Sequence, residues 1–214
     1  MSMLNKSTHI LSSHAHDTLK KNQQKGYSII ELSIALAIVS IILVTALTGV
    51  QRILRSNHVN EDLKKINLAA SKIGVILANV PDAAGITQQN LIDLKVFSDF
   101  NVVPVAGGAP TINNSFGGTI TVAPNTATLG TIPANGGLML YSTSIPPEAC
   151  SDYISGLSPV SSHVSAEAKG AAGSGGIMKN VVKSNTTAAT VGNLATACAA
   201  AAGETITVAI LITK

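Results

Sequence analysis

Tryptophan is absent from this sequence, and aromatic residues make up only 3% of its 214 positions. Charge is also sparse, at 12% Asp, Glu, Lys and Arg. No basic patch is interleaved with aromatics, so nothing here supports binding to phosphates and bases. Catalytic material is equally thin. No Gly-x-Ser-x-Gly elbow accompanies the serines and histidines. Gly173-Ser174-Gly175-Gly176 lacks the Lys-Ser/Thr pair of a phosphate-cradling loop and reads as a turn. Asp and Glu are scattered without the spacing of a calcium loop. Of five histidines, His9, His14 and His16 lie in the first 26 residues, and His58 and His163 stand alone. His14-x-His16 reads as part of a solvated polar stretch and not as a metal site. No enzyme activity, cofactor or metal is expected.

What the sequence does contain is a long uncharged run. From Leu32 to Val50 there is no ionisable side chain, and Glu31 stands at its edge. About 20 helical residues at ~1.5 Å each cover the ~30 Å hydrocarbon layer of a bilayer. A carboxylate at the end of such a segment is expensive and usually has a partner. The bland reading of Glu31 is a tolerated charge snorkelling from an ordinary anchor helix.

Charge before the run has direction. Of 14 basic and 11 acidic residues, the first 26 hold four lysines (Lys6, Lys20, Lys21, Lys25) and one aspartate (Asp17), leaving ten of each sign afterwards. Lysines just before the apolar run keep the N-terminus in the cytoplasm and send the remainder outward. A near-neutral remainder associates more readily than a highly charged one. Outside the cytoplasm the only two cysteines, Cys150 and Cys198, could be oxidised. Closing a loop of about 49 residues would stabilise by roughly 4 kcal/mol. The alternative is a pair of buried thiols.

A helix is predicted from just after Gly26 to about Asn79, where Pro81 blocks it. Its first half, to about Val50, is apolar on nearly all sides. In the second half Val59, Leu63, Ile66, Ala70, Ile73, Leu77 and Val80 form one apolar stripe. Arg52, Arg55, Glu61, Asp62, Lys64, Lys65 and Lys72 are read as lying off it. Gly49, beside Thr45 and Thr48, is the weak point of the helix. Beyond Pro81, Thr87 to Phe97 reads as a short helix. Gly118 to Val122, Gly137 to Ser144 and Thr205 to Thr213 read as strands. Pro146-Pro147-Glu148 opens a short helix through Cys150, Tyr153 and Ile154. Gly170 to Gly176 and Ser184 to Thr190 read as loops. The expected fold is α+β: a long helix packed on a small, mostly antiparallel sheet.

Lys25-Gly26, followed by Tyr27-Ser28-Ile29-Ile30-Glu31 and the apolar run, resembles the prepilin signal of the type IV pilin family. Tyr27 stands where that family more often has Phe, Met or Leu. The resemblance implies that a prepilin peptidase cuts after Gly26 on the cytoplasmic side and that the new N-terminus, Tyr27, is methylated. It implies that Glu31, fifth after the cut, brings the subunit into register in a growing filament. It also implies a disulfide between Cys150 and Cys198 enclosing a C-terminal variable region. The corresponding boundaries are a leader, 1–26; a long helix, 27–80, divided into 27–50 for membrane and filament core and an amphipathic 51–80; and a head, 81–214, with 150–198 bounded by the bridge. Local melting of the helix around Ala46 to Val50 on filament entry is left open. The long leader and sizeable remainder look more like the type IVb branch. The implied partners are other copies of the chain in a helical homopolymer, the peptidase and methyltransferase, an inner-membrane assembly platform and a separate assembly ATPase. The implied location is the bacterial inner membrane before assembly and an extracellular pilus after it, used for adhesion, aggregation or related tasks.

Other readings share parts of this pattern. A minor pilin or a type II secretion pseudopilin carries the same signal and differs in abundance. A secreted or membrane-anchored binding domain with an ordinary signal would instead be cut near the far end of the run, around Ala46-Leu47-Thr48. An uncut single-pass protein would keep its leader.

Overall fold

In the computed structural model the described residues are 28–168, 181–200 and 205–214. The loop expected at Gly170 to Gly176 lies outside them. The chain divides into two units, Met1–Ala46 and Leu47–Lys214.

Helix α1 (Ile29–Ala78) carries the described part of the first unit and the start of the second. It runs without interruption past Gly49. Hydroxyls in its apolar part fold back on the helix's own carbonyls: Ser33 Oγ donates to Ile30 O at 2.7 Å, Ser40 Oγ to Ala37 O at 2.8 Å and Thr45 Oγ1 to Ile42 O at 3.0 Å. Such bonds satisfy polar groups where no water is at hand.

In the second unit the chain continues through α2 (Gln88–Asp93), β1 (Asn101–Val103), β2 (Thr111–Asn113), β3 (Thr119–Pro124) and β4 (Gly137–Ile145). After a 3-10 turn come α3 (Cys150–Leu157), β5 (His163–Ala168), β6 (Val181–Lys183), α4 (Val191–Ala200) and β7 (Ile206–Thr213). The seven strands form one sheet in the order β1-β2-β3-β4-β7-β5-β6. Every pairing is antiparallel. The last strand in sequence is thus inserted at the centre, between β4 and β5. β4 and β7 are buried on both faces, which explains their near-continuous apolar sequences.

One sheet face carries the main core. Leu138, Leu140, Val208, Ile210 and Ile212 meet Val59, Ile66, Ala70, Ile73 and Leu77 of α1, together with Tyr153, Ile154 and Leu157 of α3. A smaller cluster on the other face joins Met139, Tyr141, Ala209 and Leu211 to Leu129 and Ile132. The loop carrying those last two is organised by the fully buried Asn125. Its Oδ1 accepts from Gly137 N at 2.9 Å, and its Nδ2 donates to Ala127 O at 3.0 Å and Pro133 O at 2.7 Å.

The predicted strands correspond to β3, β4 and β7, and the helix opened by Pro147 corresponds to α3. The short helix ends earlier than expected, at Asp93, with Thr87 as its N-cap. Strands β1, β2, β5 and β6 and helix α4 were not anticipated. Ser184 to Thr190 is a loop, as expected. Asp62 corrects the reading of α1: it is completely buried on the core face. Its place, three residues after Val59 and four before Ile66, sets it in the apolar stripe that it was judged to lie off.

The apolar helix, the buried aspartate and the disulfide

Glu31 lies in the first turn of α1, exposed to solvent. A carboxylate there faces the positive end of the helix dipole, which contributes about 0.3–1 kcal/mol. That local effect does not account for the surface around it. All large apolar residues from Ile29 to Leu54 are about half exposed or more, from 49% at Val39 to 86% at Ile29. The most apolar 18-residue window of α1 has a mean hydropathy of 2.6, and none of it is buried. By length and composition α1 can cross a membrane. Gly26 and Tyr27, the expected cleavage residues, lie outside the described residues.

The burial of α1 begins at Val59, and Asp62 fixes it to the head. Its Oδ1 accepts from Ser115 N at 2.9 Å, in the turn between β2 and β3. Tyr153 Oη donates to Oδ2 at 3.4 Å and lies 3.0 Å from Ser142 Oγ. Asn114 completes the turn. Its Nδ2 donates to Thr143 O at 2.7 Å and Ser142 Oγ at 3.1 Å, while its Oδ1 accepts from Gly118 N at 2.7 Å. Gly118 has no room for a side chain, since a Cβ there would lie 2.1 Å from Thr143 O. One buried network therefore joins α1, the β2–β3 turn, β4 and α3.

Burial raises the Asp62 pKa, and the hydrogen bonds from Ser115 oppose the rise in part. Burial likewise raises the Tyr153 hydroxyl well above its ordinary range, with the neighbouring Asp62 adding to the effect. For Asp62 the folded state holds its proton more tightly than the unfolded state. Its contribution is therefore greatest below the unfolded value, about 3.9, and is lost as pH rises through the raised folded value. Asp62→Asn keeps an acceptor for Ser115 and removes the buried charge. It is expected to fold, and its stability relative to the native chain should increase from pH 4 to pH 7 in urea titrations. Asp62→Ala leaves Ser115 N and the Tyr153 hydroxyl without this partner and should cost about 1–3 kcal/mol. A constant difference between the Asn variant and the native chain across that pH range would contradict the ionic account.

Cys150 and Cys198 are bonded, with their Cα atoms 6.0 Å apart. Cys150 is fully buried at the start of α3, and Cys198 is half-buried on α4. The enclosed segment is more than a tied-down loop. It supplies β5, β6 and most of α3 and α4, so the bridge holds together one end of the sheet.

β5 also places His163, Ser165 and Glu167 at alternate positions on one face, all buried. This row does not form a nucleophile and base. Ser165 Oγ has no hydrogen-bond partner, whereas an activated serine needs a base within bonding reach. Among the described residues no group of three or more His, Cys, Asp or Glu side chains could hold a metal.

Comparison with known proteins adds two matches along the chain. The family described as PilS N terminal matches residues 56–213. The prokaryotic N-terminal methylation motif matches residues 21–47. Among solved structures, the chain is similar to a type IV b pilin from Salmonella typhi at 19% identity and a TM-score of 0.49. It is similar to TcpA, a type IV pilin from Vibrio cholerae El Tor biotype, at 12% identity and the same TM-score. Each likeness covers 72% of this chain and 98% of the other. No curated protein matches. With a family match spanning most of its length and the methylation motif ahead of it, this chain belongs to the PilS family of type IV pilins.

Proposed function

We propose that this chain is the structural subunit of a type IVb-like pilus and has no enzyme activity of its own. The observation that carries the proposal is the bare apolar surface of α1 from Ile29 to Leu54, with Glu31 at its start. A soluble protein would not leave so much contiguous apolar surface in water.

Residues 1–26 are the leader, removed after Gly26 by prepilin peptidase, and the freed Tyr27 amine is methylated. Residues 27–50 then hold the subunit in the inner membrane as a single span, with the head, 81–214, outside. An assembly platform and its ATPase draw subunits from the bilayer into the filament. Lipid tails are as apolar as the side chains that leave them, so the transfer gains little hydrophobic energy. Packing and polar pairing must supply the selectivity. A Glu31 carboxylate carried into a dry filament core is costly unless it meets a cation, and the Tyr27 amine of a neighbouring subunit meets that need. Adhesion and aggregation are uses of the finished filament.

The test is immunogold electron microscopy of cells making the chain, using antibody to the head. Label along the whole length of surface filaments, lost on deletion of the gene, is the expected result. Label confined to the envelope would leave an anchored protein, and sparse label on filaments made of another subunit would leave a minor pilin.

A further inference from the structure

At the β5–β6 end of the sheet, on the face opposite α1, two turns flank an open cleft of about 380 Å³. This lies toward the low end of small-molecule sites, which run from about 300 to 1,000 Å³. One wall is the turn at Thr128, Leu129 and Gly130, closed by paired backbone bonds between Leu129 and Ile132 at 2.9 and 3.0 Å. The other is the turn from Ser184 to Thr187, whose ends exchange backbone bonds at 2.9 and 3.2 Å. Asn185 Nδ2 donates to Thr131 Oγ1 and ties one turn to the other. The cleft is therefore a built feature and not a gap between independent loops.

His163 also lines the cleft. It is 98% buried, being 2% exposed, and its Nδ1 has no hydrogen-bond partner. Ser165 Oγ, two residues along on the same face of β5, is buried without a partner as well. Buried polar atoms are nearly always satisfied, so two on one strand face call for an explanation. Burial, together with the nearby Lys183 ammonium, lowers the His163 pKa. The imidazole is thus neutral near pH 7, with one nitrogen to donate and one to accept. Lys183 itself is engaged by the carbonyls of Ser158 and Ser161. Among the described residues no charged side chain lines the cleft. Its polar side chains are His163 and the hydroxyls of Thr128, Ser184, Thr186 and Thr187, of which Ser184 and Thr186 bond each other at 3.1 Å, and its apolar ones are Leu129 and Val181.

We propose that this cleft binds a neutral, hydroxyl-rich ligand of the size of a sugar ring. Hydroxyls both donate and accept, so a rim of them matches a ligand whose own groups do the same. Leu129 and Val181 suit the C–H face of a ring, and the buried His163 forms part of the floor beneath it. A charged ligand would find no counter-ion among the described residues, and a purely apolar one would displace water from the rim hydroxyls without replacing its hydrogen bonds. Binding here is separate from filament assembly and would hold even if the chain were only an anchored protein.

The test is a titration of the full chain in detergent, following the His163 imidazole by NMR, with its signal assigned from His163→Gln. The probes are glucose, galactose, mannose and N-acetylglucosamine, each free and as the end of a short neutral oligosaccharide. Sialic acid is the charged comparison. The expected result is a saturable shift with at least one neutral sugar, weakened about fivefold or more by Thr187→Val. Binding of free sugar and of the oligosaccharide end both support the site, and their difference shows which form it takes. Thr187 has an exposed side chain, so its variant should keep the native thermal midpoint; if it does not, Thr128→Val takes its place. No saturable shift with any neutral sugar, a shift with sialic acid alone, or unchanged affinity in a folded variant would overturn the proposal.

Discussion

Glu31→Ala is expected to abolish surface filaments while leaving the subunit made, cut and lodged in the membrane. Glu31 has an exposed side chain in the first turn of α1, so the substitution removes no buried contact from the subunit. Insertion should if anything become easier, because an acidic residue in a membrane helix costs up to about 2.5–3.5 kcal/mol at the bilayer centre, and less near the interface. Assembly is different. Breaking a buried charge pair costs about 3–5 kcal/mol, equivalent to at least a hundredfold in association. That loss recurs at every subunit added, so sheared filaments should fall below detection with the envelope pool unchanged. Normal filament yield from a well-expressed variant would exclude the pairing role. Loss of the envelope pool as well would mean that Glu31 acts in folding or insertion.

Cys150→Ser should have the second largest effect, lowering subunit stability and with it filament yield. The bridge spans 48 positions, and closing a loop of that size restricts the unfolded chain by roughly 4 kcal/mol. Domains are stable by only about 5–15 kcal/mol in total, so the loss is a large fraction. The substitution also places a hydroxyl where Cys150 is fully buried against the core. For a head of this size about 4 kcal/mol corresponds to a fall in Tm of roughly 8–16 °C. Leader removal should continue, because the cut lies in a different part of the chain. A fall of less than about 1 kcal/mol in urea unfolding would refute the staple, as would labelling of both thiols in the unreduced folded protein.

The features that were legible in the sequence share strong local patterning. The length of α1 follows from its apolar run, its stripe and Pro81. β4 and β7 are legible because strands buried on both faces are apolar throughout. β5 alternates polar with apolar residues from His163 to Ala168, but its apolar side is one valine and two alanines, too weakly strand-forming to stand out. β1, β2 and β6 are three residues each, too short for a period to register. α4, with its alanines and no charge, gives no amphipathic signal, and its place is set by the bridge and by packing on β5 and β6. Asp62 was legible by spacing but was judged by its charge. The partners that make its burial tolerable, Ser115 and Tyr153, are 53 and 91 residues away, and only the fold brings them together.

The central claim is that Glu31 pairs with an amine created by cutting the chain, and it is tested most directly by N-terminal sequencing with intact mass. The sample is protein sheared from the surface of producing cells. A chain beginning at Tyr27, with or without the mass of one methyl group, is the result the account predicts. A start near Val50 would make the apolar run an ordinary signal, and a start near Met1 would make it an uncut anchor. Either would contradict the account, because no amine would then lie four residues before Glu31.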